Sequence, residues 1–224
     1  MRVIVLGASG MVGQGVLRAC LLEPDVTEVL AVVRTPLSVE HPKLRQLVHT
    51  DFTDYTAIQN ELKNLDACFF CLGVTSVGRR EEEYTRITYD YTLAAAHAVS
   101  ADSPDLTFTY VSGVGTDSTE RGRSMWARVK GRTENALLAM PFDAYMFRPG
   151  FIQPCNGASA RVPVYRLLYG LTGWLYPVLL RLTPRHVTTT EHLGRAMIAV
   201  TRLKGRGPAV LYSPEINRLG AEVN

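Results

Sequence analysis

The sequence predicts an α/β protein: a doubly wound parallel sheet with a small, mostly helical lobe at its C-terminal end. Three observations carry that prediction. Short apolar runs alternate with longer helical patterns over the first 150 residues, the rhythm of βαβ units with helices on both faces of a sheet. The turn Gly7-Ala8-Ser9-Gly10-Met11-Val12-Gly13 lies directly between the first apolar run and the first helical pattern. The composition is that of an ordinary globular chain, with 46% hydrophobic and 20% charged residues in 224. A chain of that size buries enough surface to need no disulfide or metal staple.

The strand candidates are Arg2–Leu6, Glu28–Val33, Leu47–Thr50, Ala67–Leu72, Leu106–Val111 and Ala144–Arg148. Each is short and rich in Val, Ile, Leu, Phe or Tyr, as strands covered on both faces are. Between them lie helical patterns over Met11–Leu22, Tyr55–Leu65, Glu81–Val99 and Ser124–Met140. Right-handed crossovers leave few ways to connect such a series. After Gly150 the rhythm changes. Pro149, Pro154, Gly157 and Pro163 punctuate a loop, and an apolar helix is expected over Val164–Leu182, ended by Pro184. A further helix over Glu191–Leu203 follows Thr188-Thr189-Thr190, whose hydroxyls offer N-caps. A late strand, Ala209–Tyr212, and a short final helix close the chain. Residues 1–150 are thus expected to form the core and residues 151–224 a small lobe integrated with it.

Lys plus Arg number 24 and Asp plus Glu 21, a net charge of +3. That balance is too mild for a nucleic-acid partner. Four cysteines are too few for a disulfide framework. Residues 1–7 carry no apolar leader region. The longest apolar stretch, Leu167 to Leu180, is 14 residues and is broken by Gly170, Gly173 and Pro177, whereas a spanning helix needs about 20. The expectation is a soluble cytoplasmic protein without an integral membrane segment.

The glycine turn carries the most chemistry. A strand–turn–helix with this spacing holds a phosphate: Gly7 permits the tight turn, Gly10 lets the backbone approach a diphosphate, and Gly13 lets helix pack on strand. The N–H groups around Ser9, Met11 and Val12 and the positive end of the helix dipole then face the anion. At the end of the second strand an acidic residue would suit the ribose 2′-hydroxyl of NAD. The chain has Val32-Val33-Arg34-Thr35 there. A guanidinium suits a 2′-phosphate, so NADP is the expected cofactor; the alternative is a solvated surface arginine. Asp51 could accept from an adenine amino group, with Phe52 against the ring, or could N-cap the following helix. Leu72-Gly73-Val74 gives a small residue at a strand's carboxyl end, where a nucleotide can pass over the backbone.

These residues resemble the short-chain dehydrogenase/reductase superfamily, in its extended and atypical NAD(P)-binding, epimerase-like branch. The resemblance rests on Gly7-x-x-Gly10-x-x-Gly13, Asp51, the Gly73 turn, Arg148-Pro149-Gly150, and Asp90 ahead of Ala94-Ala95-Ala96. It covers residues 1–154 and implies a Rossmann fold for the core. It implies further that Pro149 and Gly150 border the cofactor, that Ser112 orients a substrate oxygen, and that Lys130 binds the nicotinamide ribose. It suggests a homodimer through the helices around Glu81–Val99 and Ser124–Met140.

The superfamily's catalytic pair is Tyr-x-x-x-Lys. Here Trp126-Ala127-Arg128-Val129-Lys130 supplies the Lys but puts Trp126 at the Tyr position. A phenol can lose and regain a proton beside an ammonium; an indole N–H donates but does not ionise. The cofactor site is therefore expected intact and the usual general acid absent. Tyr84, Tyr165 or Ser112 through water could replace it, or the chain could run no carbonyl chemistry. Two functions follow: an NADP-dependent oxidoreductase or epimerase-type enzyme on a small, partly apolar carbonyl or hydroxyl compound, and a non-catalytic NADP(H)-binding sensor with a regulatory partner.

Other features read as structural. Cys68 and Cys71 lie three apart on a strand, so their side chains point to opposite faces and suit a core rather than a metal. The five histidines show no metal spacing. Arg79-Arg80-Glu81-Glu82-Glu83 reads as a solvated helix start, its acids at the positive dipole end. Val164–Leu182 reads as a packed core or dimer helix, with a lid over an apolar pocket or a membrane-surface contact as alternatives.

Overall fold

The computed structural model describes residues 1–158 and 186–221. The apolar segment expected over Val164–Leu182 lies outside the described residues, as does Tyr165.

Seven strands form one parallel sheet: β1 (Arg2–Leu6), β2 (Glu28–Val33), β3 (Leu44–Val48), β4 (Ala67–Phe70), β5 (Thr107–Val111), β6 (Asp143–Arg148) and β9 (Val210–Tyr212). Their order is β3-β2-β1-β4-β5-β6-β9, and every pairing is parallel, for example Val3 beside Val29 on one side and Ala67 on the other. The central strands are apolar at each position because both faces are covered. Val3, Val5 and Phe69 enter one core with Cys71; Ile4, Leu6, Cys68 and Phe70 enter the other. The two cysteines thus stand on opposite faces, as the strand period requires.

On the first face lies α1 (Met11–Leu22), with α5 (Thr190–Thr201) and α6 (Ser213–Ala221) beside it. The second face carries α2 (Glu81–Thr85), a π-helical turn (Arg86–Asp90), α3 (Tyr91–Ser100) and α4 (Met125–Leu138). Helices α1 and α5 meet through small residues. A Cβ on Gly15 would stand 2.5 Å from Thr190 Cβ, and one on Gly194 would stand 3.0 Å from the Gly15 carbonyl oxygen. Thr189 caps α5 as expected, its hydroxyl accepting from the His192 N–H at 2.9 Å.

Three expected elements differ. The third strand runs Leu44–Val48 rather than Leu47–Thr50. It is an edge strand, so Arg45 and Gln46 sit in it without a burial cost; Arg45 pairs with Glu61 at 2.7 Å, and Gln46 accepts from the Leu37 N–H at 2.7 Å. The helix expected over Tyr55–Leu65 is a 3₁₀ helix over Thr56–Leu62. The Asp54 carboxylate holds the Thr56 N–H and hydroxyl at 2.9 and 2.8 Å, and Asn64 turns the chain away at φ 54°. Third, the loop after Gly150 contains β7 (Phe151–Gln153), paired in parallel with β8 (Val187–Thr189). Strands of three residues between prolines leave no periodicity to read.

A buried ion pair joins the layers. Arg148 of β6 donates from Nε to both Glu134 oxygens at 3.1 Å, and its Nη2 donates to Glu134 as well. The same guanidinium reaches Ser118 Oγ at 2.5 Å and the Tyr212 hydroxyl at 3.2 Å. Glu134 is 1% and Arg148 8% exposed. Helix α4, β6, β9 and the loop after β5 therefore converge on one charge pair.

Glu134→Ala would leave the Arg148 charge buried and unpaired, and is expected to cost about 3–5 kcal/mol in urea unfolding. Gly15→Ala drives a methyl into the α1–α5 contact and is expected to cost about 1–3 kcal/mol in the same assay.

Candidate functional site

Between β1 and β4 the chain order reverses, so the loops leaving their carboxyl ends diverge and open a crevice. The glycine turn fills its floor. Gly7 has φ +85°, a conformation that L side chains rarely adopt. A Cβ on Gly13 would stand 2.1 Å from the Gly7 carbonyl oxygen, so only glycine lets α1 start this close to β1. A Cβ on Gly10 would meet only that same oxygen, at 3.3 Å, so the backbone above it is open. Gly10 is the N-cap of α1 and offers no side-chain acceptor to the first turn. The N–H groups that begin at Met11 and Val12 thus face the crevice uncapped, as a diphosphate requires. The residues fit a dinucleotide's paired phosphates.

One cleft gathers seven of the residues expected from the sequence: Gly7, Ser9, Gly10, Arg34, Phe52, Leu72 and Gly73. It is lined by Gly7, Ser9 and Gly10 from the turn, by Val32, Val33 and Arg34 at the end of β2, by Phe52, and by Cys71, Leu72 and Gly73 after β4. Arg34 is exposed, and its guanidinium has no ion pair or hydrogen bond among the described residues. Phe52 is buried, with its ring 6.0 Å from that of Tyr91 in a stacked arrangement. Asp51 and Val74 flank the cleft without lining it. The Asp51 carboxylate is exposed and accepts from the Thr53 N–H at 2.9 Å and from its hydroxyl at 2.5 Å. Those bonds hold its carboxyl below the usual carboxylate range. It caps that local turn and not the following helix, whose N-cap is Tyr55. Val32, Val33 and Cys71 were not singled out from the sequence for this cleft, because each also reads as core. Burial pushes the Cys71 thiol up to about 12, so it stays protonated.

A second group stands at the carboxyl ends of β5 and β6. The Ser112 N–H and hydroxyl both donate to the Phe147 carbonyl, at 2.9 and 3.1 Å. The Val114 N–H donates to the Pro149 carbonyl at 2.9 Å. These bonds clamp the loop after β5 onto Pro149 and Gly150. Gly150 is required there, since a Cβ would stand 2.3 Å from the His186 carbonyl oxygen. Helix α4 brings Lys130 to this loop, its Nζ donating to the Ser112 carbonyl oxygen. The helix lies against the loop because residue 131 is glycine: a Cβ would meet the Asp117 carbonyl oxygen at 1.8 Å.

Lys130 is half-buried. Loss of water lowers its ammonium to about 8, and Glu134 one turn further on opposes the shift. Trp126 lies over the loop, where a Cβ on Gly115 would stand 3.2 Å from its Cη2 atom. Tyr84, one of the phenols weighed from the sequence as a proton donor, is 2% exposed. Burial raises its hydroxyl, and Thr88 bonds it; it faces the interior between helices and is excluded from the site. Glu134 was not read from the sequence as part of the site. Its signal was one turn's spacing after Lys130, but an acid on a helix more often marks the solvent face.

Among the described residues no group of three or more His, Cys, Asp or Glu stands together as a metal site. No helix among them is long and apolar enough to cross a membrane.

The chain is similar to several proteins. It is 28% identical to "Protein fmp52, mitochondrial" of Emericella nidulans over 98% of this chain and 99% of that protein. It is 27% identical to "Protein HTATIP2" of Rattus norvegicus over 71% of this chain and 65% of that one. Proteins named mitochondrial in Meyerozyma guilliermondii and Saccharomyces cerevisiae also match. These names overturn the cytoplasmic expectation. It rested on a missing apolar leader and the lack of a spanning helix, and neither separates the cytosol from the inside of an organelle. Among solved structures, a short-chain dehydrogenase/reductase family oxidoreductase from Burkholderia thailandensis superposes with TM-score 0.69 at 16% identity, over 95% of this chain and 90% of that one. The protein MoeE5 in complex with UDP-glucose and NAD superposes with TM-score 0.66 at 21% identity, over 99% and 81%. These likenesses agree with the seven-stranded parallel sheet. The profile of the NAD dependent epimerase/dehydratase family matches residues 3–122, the span that holds the glycine turn, the cleft and Ser112, and the chain belongs to that family.

Proposed function

We propose that the chain is an NADP(H)-binding oxidoreductase of the short-chain dehydrogenase type, acting on a small carbonyl or hydroxyl compound. The observation that carries the choice of NADP is Arg34. It stands on the same cleft as the glycine turn, exposed, with its guanidinium uncommitted among the described residues. A 2′-phosphate accepts two parallel bonds from such a group, whereas a 2′-hydroxyl offers it little.

In this reading Gly7, Ser9, Gly10, Met11, Val12 and Gly13 hold the diphosphate. Asp51 accepts from the adenine amino group and Phe52 supports the adenine side. Leu72, Gly73 and Val74 pass under the nucleotide. Lys130, Pro149 and Gly150 border the nicotinamide end, and Ser112 orients the substrate oxygen. The bound nicotinamide supplies or takes up the hydride. The loop clamp and α4 shape the surroundings of the reacting oxygen.

Trp126 favours a second reading, a non-catalytic NADP(H)-binding protein that reports redox state to a regulatory partner. Such a protein must bind NADPH and NADP with different affinity. Isothermal titration with NADPH, NADP and NADH, followed by a carbonyl panel monitored for NADPH oxidation, separates the two. Tight binding with no turnover on any compound supports the sensor.

Arg34→Ala is expected to weaken NADPH binding by about 1.5–3 kcal/mol and to leave NADH within about twofold, the pattern for loss of one bond set to a charged group. Equal weakening of both coenzymes would overturn the 2′-phosphate assignment.

A further inference from the structure

We infer that the Lys130 side chain itself exchanges the proton with the substrate oxygen, the task that a phenol one helical turn earlier would otherwise perform. The inference rests on the oxidoreductase reading above and goes beyond it, since there Lys130 only borders the nicotinamide end.

Among the described residues the geometry leaves this group in place and sets aside several rivals; Tyr165 lies outside them. The indole of Trp126 does not ionise and is packed on Gly115. Tyr84 and Tyr110 are each 2% exposed, and burial raises both hydroxyls. The Ser112 hydroxyl donates to the Phe147 carbonyl at 3.1 Å; it can turn to orient a substrate oxygen, but an alcohol is too weak an acid to give up its proton near neutral pH. The Asp117 carboxylate is held by the Thr119 N–H at 3.0 Å and the Gly122 N–H at 2.6 Å. Lys130 remains. One of its three N–H bonds is spent on the Ser112 carbonyl oxygen, which anchors Nζ beside the residue expected to orient the substrate. Two N–H bonds stay available.

The surroundings suit the task. An ordinary lysine is too weak an acid to serve near neutral pH, and the best acid titrates close to the working pH. Desolvation moves Lys130 to about 8. The charged groups around it explain why the shift survives. Glu134, on the same helix, would restore the ammonium, but Arg148 of β6 holds its carboxylate through Nε at 3.1 Å to each oxygen. Tyr84 from α2 and Tyr110 from β5 stay protonated through this range, and the Asp117 carboxylate is held within its own loop. Glu134 thus shares its charge with Arg148, and desolvation of Lys130 outweighs the part that reaches the ammonium.

In the reducing direction the substrate carbon gains a hydride and the carbonyl π pair moves onto oxygen. An Nζ–H bond breaks, its electron pair stays on nitrogen, and the proton forms the product hydroxyl. The neutral amine regains a proton from water. Oxidation runs the same transfer backwards, with Nζ neutral at the start.

Competitive acetylation of the full chain across pH, with Lys130 followed by mass spectrometry, reads its ionisation without cofactor or turnover. The expected midpoint is about 8, against about 10.4 for an ordinary lysine. Steady-state reduction should then fall as pH rises through that midpoint, because the donor is lost, and oxidation should rise through it. Lys130→Arg keeps the charge but cannot release a proton; it should bind NADPH in a fluorescence titration and reduce carbonyls at least ~100-fold more slowly. A labelling midpoint at or above about 10, an Arg variant turning over within about fivefold of the parent, or NADPH binding with no carbonyl reduced would each overturn the inference. Failure of the parent chain to bind either coenzyme would instead sink the oxidoreductase reading, and the inference with it.

Discussion

A missing methyl group at residue 13 governs where everything else in the crevice stands. With hydrogen as its side chain, Gly13 brings the first turn of α1 to van der Waals contact with the Gly7 carbonyl. That contact sets the direction of the helix dipole relative to the sheet. It also leaves the first-turn N–H groups without a cap, since Gly10 has no side chain to offer. The same economy recurs elsewhere: Gly131 admits α4 to the Asp117 backbone, and Gly150 admits the β6–β7 turn to the backbone at His186. Each glycine removes a steric stop at a place where a functional loop must lie close to another segment.

The second organising element is electrostatic. Glu134 and Arg148 are buried together, and a buried pair is held less for stability than for the arrangement it enforces. Here it links α4, which carries Trp126 and Lys130, to β6, whose end carries Pro149 and Gly150. Ser118 and Tyr212 complete the guanidinium's bonding. Lys130 therefore stands one turn from an acid already paired with Arg148, while loss of water lowers its ammonium.

How much of this was legible in the chain depends on how the physics is written. Arg2–Leu6, Met11–Leu22 and Glu28–Val33 were read to the residue, because a buried parallel strand is apolar throughout and an amphipathic helix has its own period. Leu44–Val48 was misplaced because an edge strand tolerates Arg45 and Gln46 and so loses that signature. The 3₁₀ segment Thr56–Leu62 was read as α-helix because its turns are set by Asp54 side-chain bonds rather than by periodicity. The glycine turn and the cleft around it were legible because glycine spacing encodes a local turn. The Glu134–Arg148 pair was not, because partners 14 residues apart on different elements leave no local pattern. The cytoplasmic assignment failed for a related reason: it was drawn from what the sequence lacks.

The sheet ends on β9, a strand supplied by residues 210–212, and α5 closes the face that α1 leaves open. Both follow the glycine turn by more than 170 residues. Until α5 is made, the sheet face that holds Val3, Val5 and Phe69 has α1 alone of these two helices to cover it. Transiently uncovered apolar surface of that kind favours aggregation. The chain's dependence on chaperones should be concentrated in the interval between exit of the glycine turn and exit of α5.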